Sequence, residues 1–136
     1  MERTAKAHWS GNLKDGDGTL QTQSAALDGT PYSYKTRFGD EIGTNPEELL
    51  AAAHAGCFTM AVVSAVEKAG HQTDTLTTEC MIRMEGLKIT GTHLKIEGTV
   101  HGMSSDEFEK IVADMAKNCV ISKALAVPIT FESTFK

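Results

Sequence analysis

The sequence predicts an α+β fold, and three observations predict it. Apolar and polar side chains alternate with a period of two near both ends of the chain and through its second half, as half-buried strands require. Two stretches carry helix start and stop signals, one apolar on nearly every face and the other amphipathic. The resulting order, βββ–α–ββ–α–(α)–β, groups strands and helices instead of alternating them, which disfavours a parallel α/β sheet. A chain of 136 residues with 40% hydrophobic content supports one modest core. No repeat, low-complexity stretch or linker interrupts it, so residues 1–136 read as a single domain.

Ala5, Ala7 and Trp9 alternate with Lys6, His8 and Ser10, giving the first strand. Asp15-Gly16-Asp17-Gly18 signals a turn, and Thr19 to Ser24 is expected to return as the second strand of a hairpin. After Asp28-Gly29, Tyr32 to Phe38 reads as a third strand with Arg37 at its end, and Gly39 to Gly43 as a loop. A helix from Thr44 to Ala69 follows. Thr44 or Asn45 caps it, Pro46 suits its first turn, Glu47 and Glu48 complement the positive end of its dipole, and Gly70 stops it. Leu76, Cys80, Ile82 and Met84 then share one parity while Thr77, Glu79, Arg83 and Glu85 take the other; Leu94, Ile96 and Val100 oppose Lys95 and Glu97 in the same way. This is an antiparallel pair solvated on one face. Ser104 to Glu107 holds a capping box ahead of the apolar stripe Phe108, Ile111, Val112 and Met115. Cys119 to Ala126 reads as a short helical piece capped by Asn118, and Ile129, Phe131 and Phe135 mark a last strand after Pro128.

Between Glu48 and Glu67 the first long helix has no formal charge, and Leu49, Leu50, Ala53, Phe58, Met60, Val62, Val63 and Val66 spread around it. Such a helix needs cover on all sides, more than six modest strands and one amphipathic helix supply, so a homodimer that buries it is expected. Its length approaches a membrane span, but heavy Ala content, His54, Thr59, Ser64 and the lack of a Lys/Arg flank near its N-terminal end argue against insertion. The opening MERTAKAHWSGN lacks the apolar region of a signal peptide, which makes the cytoplasm the expected compartment. A net charge of −5 without a basic cluster argues against nucleic acid as a partner.

Three cysteines in such a chain point away from a disulfide framework and towards catalytic or metal-binding thiols. Cys57, beside Gly56 and three residues after His54, reads either as a small hydrophobe of the core or as a reactive thiol. Cys119 sits outside any apolar stripe at a helix start, where free N–H groups stabilise a thiolate. Cys80 falls in phase with its apolar neighbours and reads as packing. Two thiols brought together by the fold would make a redox couple, one becoming a sulfenic acid and the other condensing with it. That chemistry wants a cation near the attacking sulfur and a carboxylate to hold the cation. Arg37 and Glu47 are the best pair for this, although alone they would read as a surface ion pair and a helix cap. His54, Cys57 and Cys119 could in principle ligate a metal, but Cys-x-x-Cys and a second His at ligand spacing are missing, and no metal is expected. His8, His71, His93 and His101 read as solvated. No P-loop, dinucleotide or nucleophile-elbow motif is present.

The string TRFGDEIGTNPEELLAAAHAGCF from Thr36 to Phe58, with AHWSG near the start and CVISKAL near the end, resembles the OsmC/Ohr family of thiol peroxidases over essentially the whole chain. The A-H-W-x-G opening and the A-A-H-A-x-C-F segment lean towards its OsmC branch. The resemblance implies antiparallel sheets wrapped around long central helices in an intertwined homodimer, with active sites at the subunit interface. It implies reduction of organic hydroperoxides in preference to hydrogen peroxide, in oxidative and osmotic stress defence, with no metal, haem or flavin and with an external dithiol as reductant. It makes Cys57 the peroxidatic thiol, Cys119 the resolving thiol that joins it in a disulfide, and Arg37 with Glu47 the activating pair. An apolar pocket lined by Phe58 and Met60 would favour alkyl or lipid hydroperoxides. Val120 stands where the family commonly has Pro, which would leave Cys119 more mobile or less well aimed.

On one straight helix the ten residues from Glu47 to Cys57 rise about 15 Å and end on a different face. Either the helix breaks near Gly56, or Arg37 and Glu47 reach the sulfur of a partner chain. Two other functions stay open: a non-catalytic dimeric protein that binds an apolar ligand, and a metal-dependent hydrolase built on His54, Cys57 and Cys119.

Overall fold

The alternating segment Ala5–Ser10 forms strand β1, pairs antiparallel with β2 (Asp17–Thr22), and β2 pairs with β3 (Thr30–Tyr32). The computed structural model describes residues Met1–Lys136, in two compact units, Met1–Leu49 and Leu50–Lys136. In the first unit, Trp9, Gly18 and Tyr32 stand in register across the sheet, and the two rings meet edge to face at 5.6 Å. They can do so because residue 18 has no side chain; a Cβ there would lie 2.5 Å from Tyr32 and 2.6 Å from Trp9. The hairpin turn begins earlier than expected, at Gly11, so Asp17 and Gly18 belong to the strand. The expected third strand also shortens. Ser33 Oγ accepts from the Thr36 N–H while Thr36 Oγ1 accepts from the Ser33 N–H, and this reciprocal cap converts Tyr34–Phe38 into a short helix, α1. Arg37 therefore projects from a helix and not from a strand end.

Helix α2 (Pro46–Lys68) is unbroken, and Asn45 is the residue that caps it, taking the Glu48 N–H at 2.7 Å. Only one stripe of it is buried: His54, Phe58, Val62 and Val66, each four residues from the next. The all-round burial expected from its composition is not met within one chain. By length and composition α2 could cross a membrane, and Met60 is 75% exposed on the side away from that stripe.

In the second unit, β4 (Gln72–Glu85) and β5 (Lys88–His101) form a long antiparallel hairpin joined by Gly86-Leu87, with Gly86 at φ 62 as a two-residue turn requires. Helix α3 (Ser105–Asn118) and a five-residue helix α4 (Val120–Ala124) lead to β6 (Ile129–Phe135). Strand β6 runs parallel to β5, so this sheet is mixed and not purely antiparallel; the intervening helices give the chain the length to cross over. The core joins the α2 stripe to Leu94, Ile96 and Val100 of β5 and to Phe108, Val112 and Ala116 of α3.

Phe108 is fully buried and packs its ring 5.2 Å from that of Phe135. Phe108→Ala is expected to lower the free energy of unfolding by about 3–5 kcal/mol, read from the urea midpoint at unchanged slope.

Candidate active site

The last turn of α3 ends at Cys119, whose backbone turns extended (φ −64, ψ 154) and starts α4. The cap of α4 is Cys119 itself and not Asn118: its Sγ accepts from the Ser122 N–H at 3.4 Å. Asn118 instead donates back to Asp114. One residue earlier on the same turn, the Ile121 N–H donates to Cys57 Sγ at 3.4 Å. Two sulfurs from opposite ends of this unit's sequence thus share successive N–H groups of one short helix. Both thiols are free; Cys57 is half-buried and Cys119 is 3% exposed within the core. That burial was not legible, because Cys119 belongs to no stripe of its own. Val120 occupies the first helical position with its side chain exposed, and Cys119 is held in place by its sulfur although Pro is absent.

Behind the thiols lies a buried polar chain. Cys119 Sγ donates to Ser122 Oγ at 3.0 Å, Ser122 Oγ lies 2.7 Å from His54 Nε2, and His54 Nδ1 lies 3.0 Å from Thr92 Oγ1. Thr92 Oγ1 in turn lies 3.2 Å from Cys80 Sγ. His54 is wholly buried, and burial holds its imidazole below its ordinary value, which keeps the ring neutral. With both ring nitrogens paired to hydroxyls, His54 is satisfied as a core residue. Burial pushes the Cys80 thiol up, and the Thr92 contact offsets this in part. Thr92 and Ser122 were missed from sequence. The one available signal was the spacing of Ser122, three residues after a helix-capping Cys119.

In the first unit Arg37 grips Glu47 through two nitrogens: Nε lies 3.0 and 3.2 Å from the carboxylate oxygens and Nη2 2.6 Å from Oε1. The hydrogen bonds from Arg37 hold the Glu47 carboxyl below the usual carboxylate range against the opposing effect of burial, and raise Arg37 in return. Arg37 also lies 5.0 Å over the Phe38 ring and faces a pocket of about 360 Å³ lined by Trp9, Leu13, Tyr32, Tyr34 and Phe38. No apolar pocket was expected there. Phe58 is sealed in the core and Met60 stands exposed across α2, so the two do not line one cavity. The expected break near Gly56 does not occur: α2 is continuous from Pro46 to Lys68.

A two-sheet α+β fold that seats two free thiols on one helical turn defines a thiol-bearing class of protein. A family model described as OsmC-like protein matches residues 39–134. The chain is 36% identical over 140 residues to peroxiredoxin OsmC of Escherichia coli (strain K12), covering 100% of this chain and 98% of the relative. It is 31% identical to the organic hydroperoxide resistance protein OhrA of Bacillus subtilis (strain 168) over 129 residues, 90% of this chain and 86% of the relative. Among solved structures, an OsmC-like protein of unknown function from Vibrio cholerae superposes with a TM-score of 0.76 at 17% identity, covering 98% of this chain and 99% of that one. The protein belongs to the OsmC-like family and has its fold.

Above pH 6.5, the ordinary value for His, folded and unfolded chains both hold residue 54 neutral; below it the unfolded chain takes up a proton that the buried ring resists. Stability is therefore lost as pH falls below 6.5, with this residue contributing a slope of at most about 1.4 kcal/mol per pH unit. Urea titrations at several pH values should show this slope in the wild type and its loss in His54→Gln.

Proposed function

We propose that this protein is a cytoplasmic thiol peroxidase that reduces organic hydroperoxides to alcohols, and hydrogen peroxide less well. The observation that carries the reading is the seating of Cys57 and Cys119 on successive N–H groups of α4, in a chain akin along its whole length to a protein named peroxiredoxin. The Cys57 thiolate attacks the distal oxygen of ROOH, ROH departs, and the sulfur is left as a sulfenic acid. The Ile121 N–H stabilises negative charge on that sulfur. Cys119 then displaces water to form the Cys57–Cys119 disulfide, and an external dithiol restores both thiols. No metal, haem or flavin is called for.

Arg37, aimed by Glu47, stabilises charge on the departing oxygen, and the aromatic pocket beside it receives the apolar part of the hydroperoxide. Since α2 does not break, these groups act on the Cys57 of a partner chain. A homodimer is supported independently by the uncovered face of α2. Ala52, Ala53, Gly56 and Met60 are exposed there without a charge among them, and a Cβ built on Gly56 would meet nothing within 4 Å. A second helix packed on this face supplies the reason for glycine.

Intact-mass thiol counting before and after one equivalent of cumene hydroperoxide is expected to show the loss of two thiols and two hydrogens per chain. Cys119→Ser should instead trap an oxidised Cys57. Three thiols surviving untouched in the wild type would sink the redox reading. Sedimentation should find a dimer that Met60→Glu shifts towards monomer with a loss of peroxidase activity of about tenfold or more, by placing an unpaired charge in a desolvated interface.

A further inference from the structure

Resting on the assignment of Cys119 as the resolving thiol, we propose that Ser122 and His54 relay the proton that Cys119 sheds when it forms the disulfide. Ser122 touches the reacting sulfur; His54 acts through Ser122.

The geometry carries this. Cys119 is 3% exposed, so water has little access to its proton, and its S–H already points at Ser122 Oγ 3.0 Å away. The hydroxyl lies 2.7 Å from His54 Nε2. With the ring proton on Nδ1, donated to Thr92 Oγ1 at 3.0 Å, every donor in the chain is used once and in one direction. The order is Cys119 S–H to Ser122, Ser122 O–H to His54, His54 N–H to Thr92, and Thr92 O–H to Cys80. This leaves Nε2 as the acceptor at the end nearest Cys119. The groups that face the ring are Cys80 from β4, whose Sγ is 3.8 Å from Nδ1, uncharged Thr92 from β5, and Ser122 with Cys119 behind it from the α4 turn. No ion pair involves His54, and burial alone favours its neutral form. A neutral buried imidazole can accept a proton, whereas a charged one could not.

The step balances without a further reagent. Ser122 takes the thiol proton as it passes its own to Nε2, and the Cys119 sulfur attacks the Cys57 sulfenic acid. The S–S bond forms, the S–O bond breaks, and hydroxide leaves. The proton held at His54 passes back through Ser122 to that hydroxide, which departs as water. Cys119 sulfur is oxidised and the sulfenic sulfur is reduced by the same electron pair; the hydroperoxide consumed in the preceding step is the only oxidant.

The test is single-turnover kinetics on full-length protein, with sulfenic acid formation and disulfide formation followed separately. Ser122→Ala and His54→Gln should slow the second step by about tenfold or more, so that sulfenic acid accumulates, and Ser122→Thr should restore it. The pH profile separates a relay from mere packing. The wild-type rate of disulfide formation should be flat between about pH 6.5 and 8.5, while in Ser122→Ala it should rise by about tenfold per pH unit, because thiolate must then come from bulk deprotonation. Ser122→Ala resolving at the wild-type rate, or more slowly with an unchanged pH profile, overturns the relay. A wild type that oxidises Cys57 but never forms the disulfide overturns the underlying role of Cys119 instead.

Discussion

A histidine placed in the middle of an apolar stripe has to have both ring nitrogens satisfied, and most of the second unit follows from that requirement. His54 continues the four-residue spacing of Phe58, Val62 and Val66, so α2 cannot bury its core face without burying the imidazole as well. Left unpaired, such a group would cost roughly 1–3 kcal/mol. Thr92 meets one nitrogen from β5 and Ser122 the other from α4. The same two contacts fix the distance between helix, sheet and the start of α4. They thereby decide where Cys119 sits, and where the Ile121 N–H meets Cys57.

The thiol site is thus built on a rigid base and not on a loop. Cys119 ends α3, caps α4 and lies in the core cluster, which explains why a valine in place of proline at residue 120 leaves it anchored. Cys57 is less enclosed and accepts only from Ile121. This difference in exposure runs in the same sense as the proposed division of labour between them. The Arg37–Glu47 pair has a comparable local logic. The Ser33 and Thr36 reciprocal cap starts α1, Asn45 starts α2, and the end of the one helix and the start of the other bring a guanidinium and a carboxylate into a multiply hydrogen-bonded pair.

Much of the fold was legible in the chain because its signals are local. Period-two alternation marked β1, β4 and β5; Pro46, Glu47, Glu48 and Gly70 marked α2; Ser104 marked the start of α3. The strand expected at Tyr32–Phe38 failed because a cap made by two side chains outweighed an apolar run too short to decide between strand and helix. The direction of β6 was also hidden, since alternation reports which face is buried and is silent on whether the neighbouring strand runs parallel.

By itself the sequence determined the α+β class and the uncharged central helix, and it put forward Arg37, Glu47, Cys57 and Cys119 as candidates for reactive chemistry. Only the tertiary structure decided that Cys57 and Cys119 share one helical turn, that α2 stays unbroken, and that an aromatic pocket adjoins Arg37. It alone also showed His54 tied through Ser122 to Cys119. The reason is physical: helix caps and periodicity act over a few neighbouring residues. The contact between His54 and Ser122 spans 68 positions and exists only once the core has closed around it.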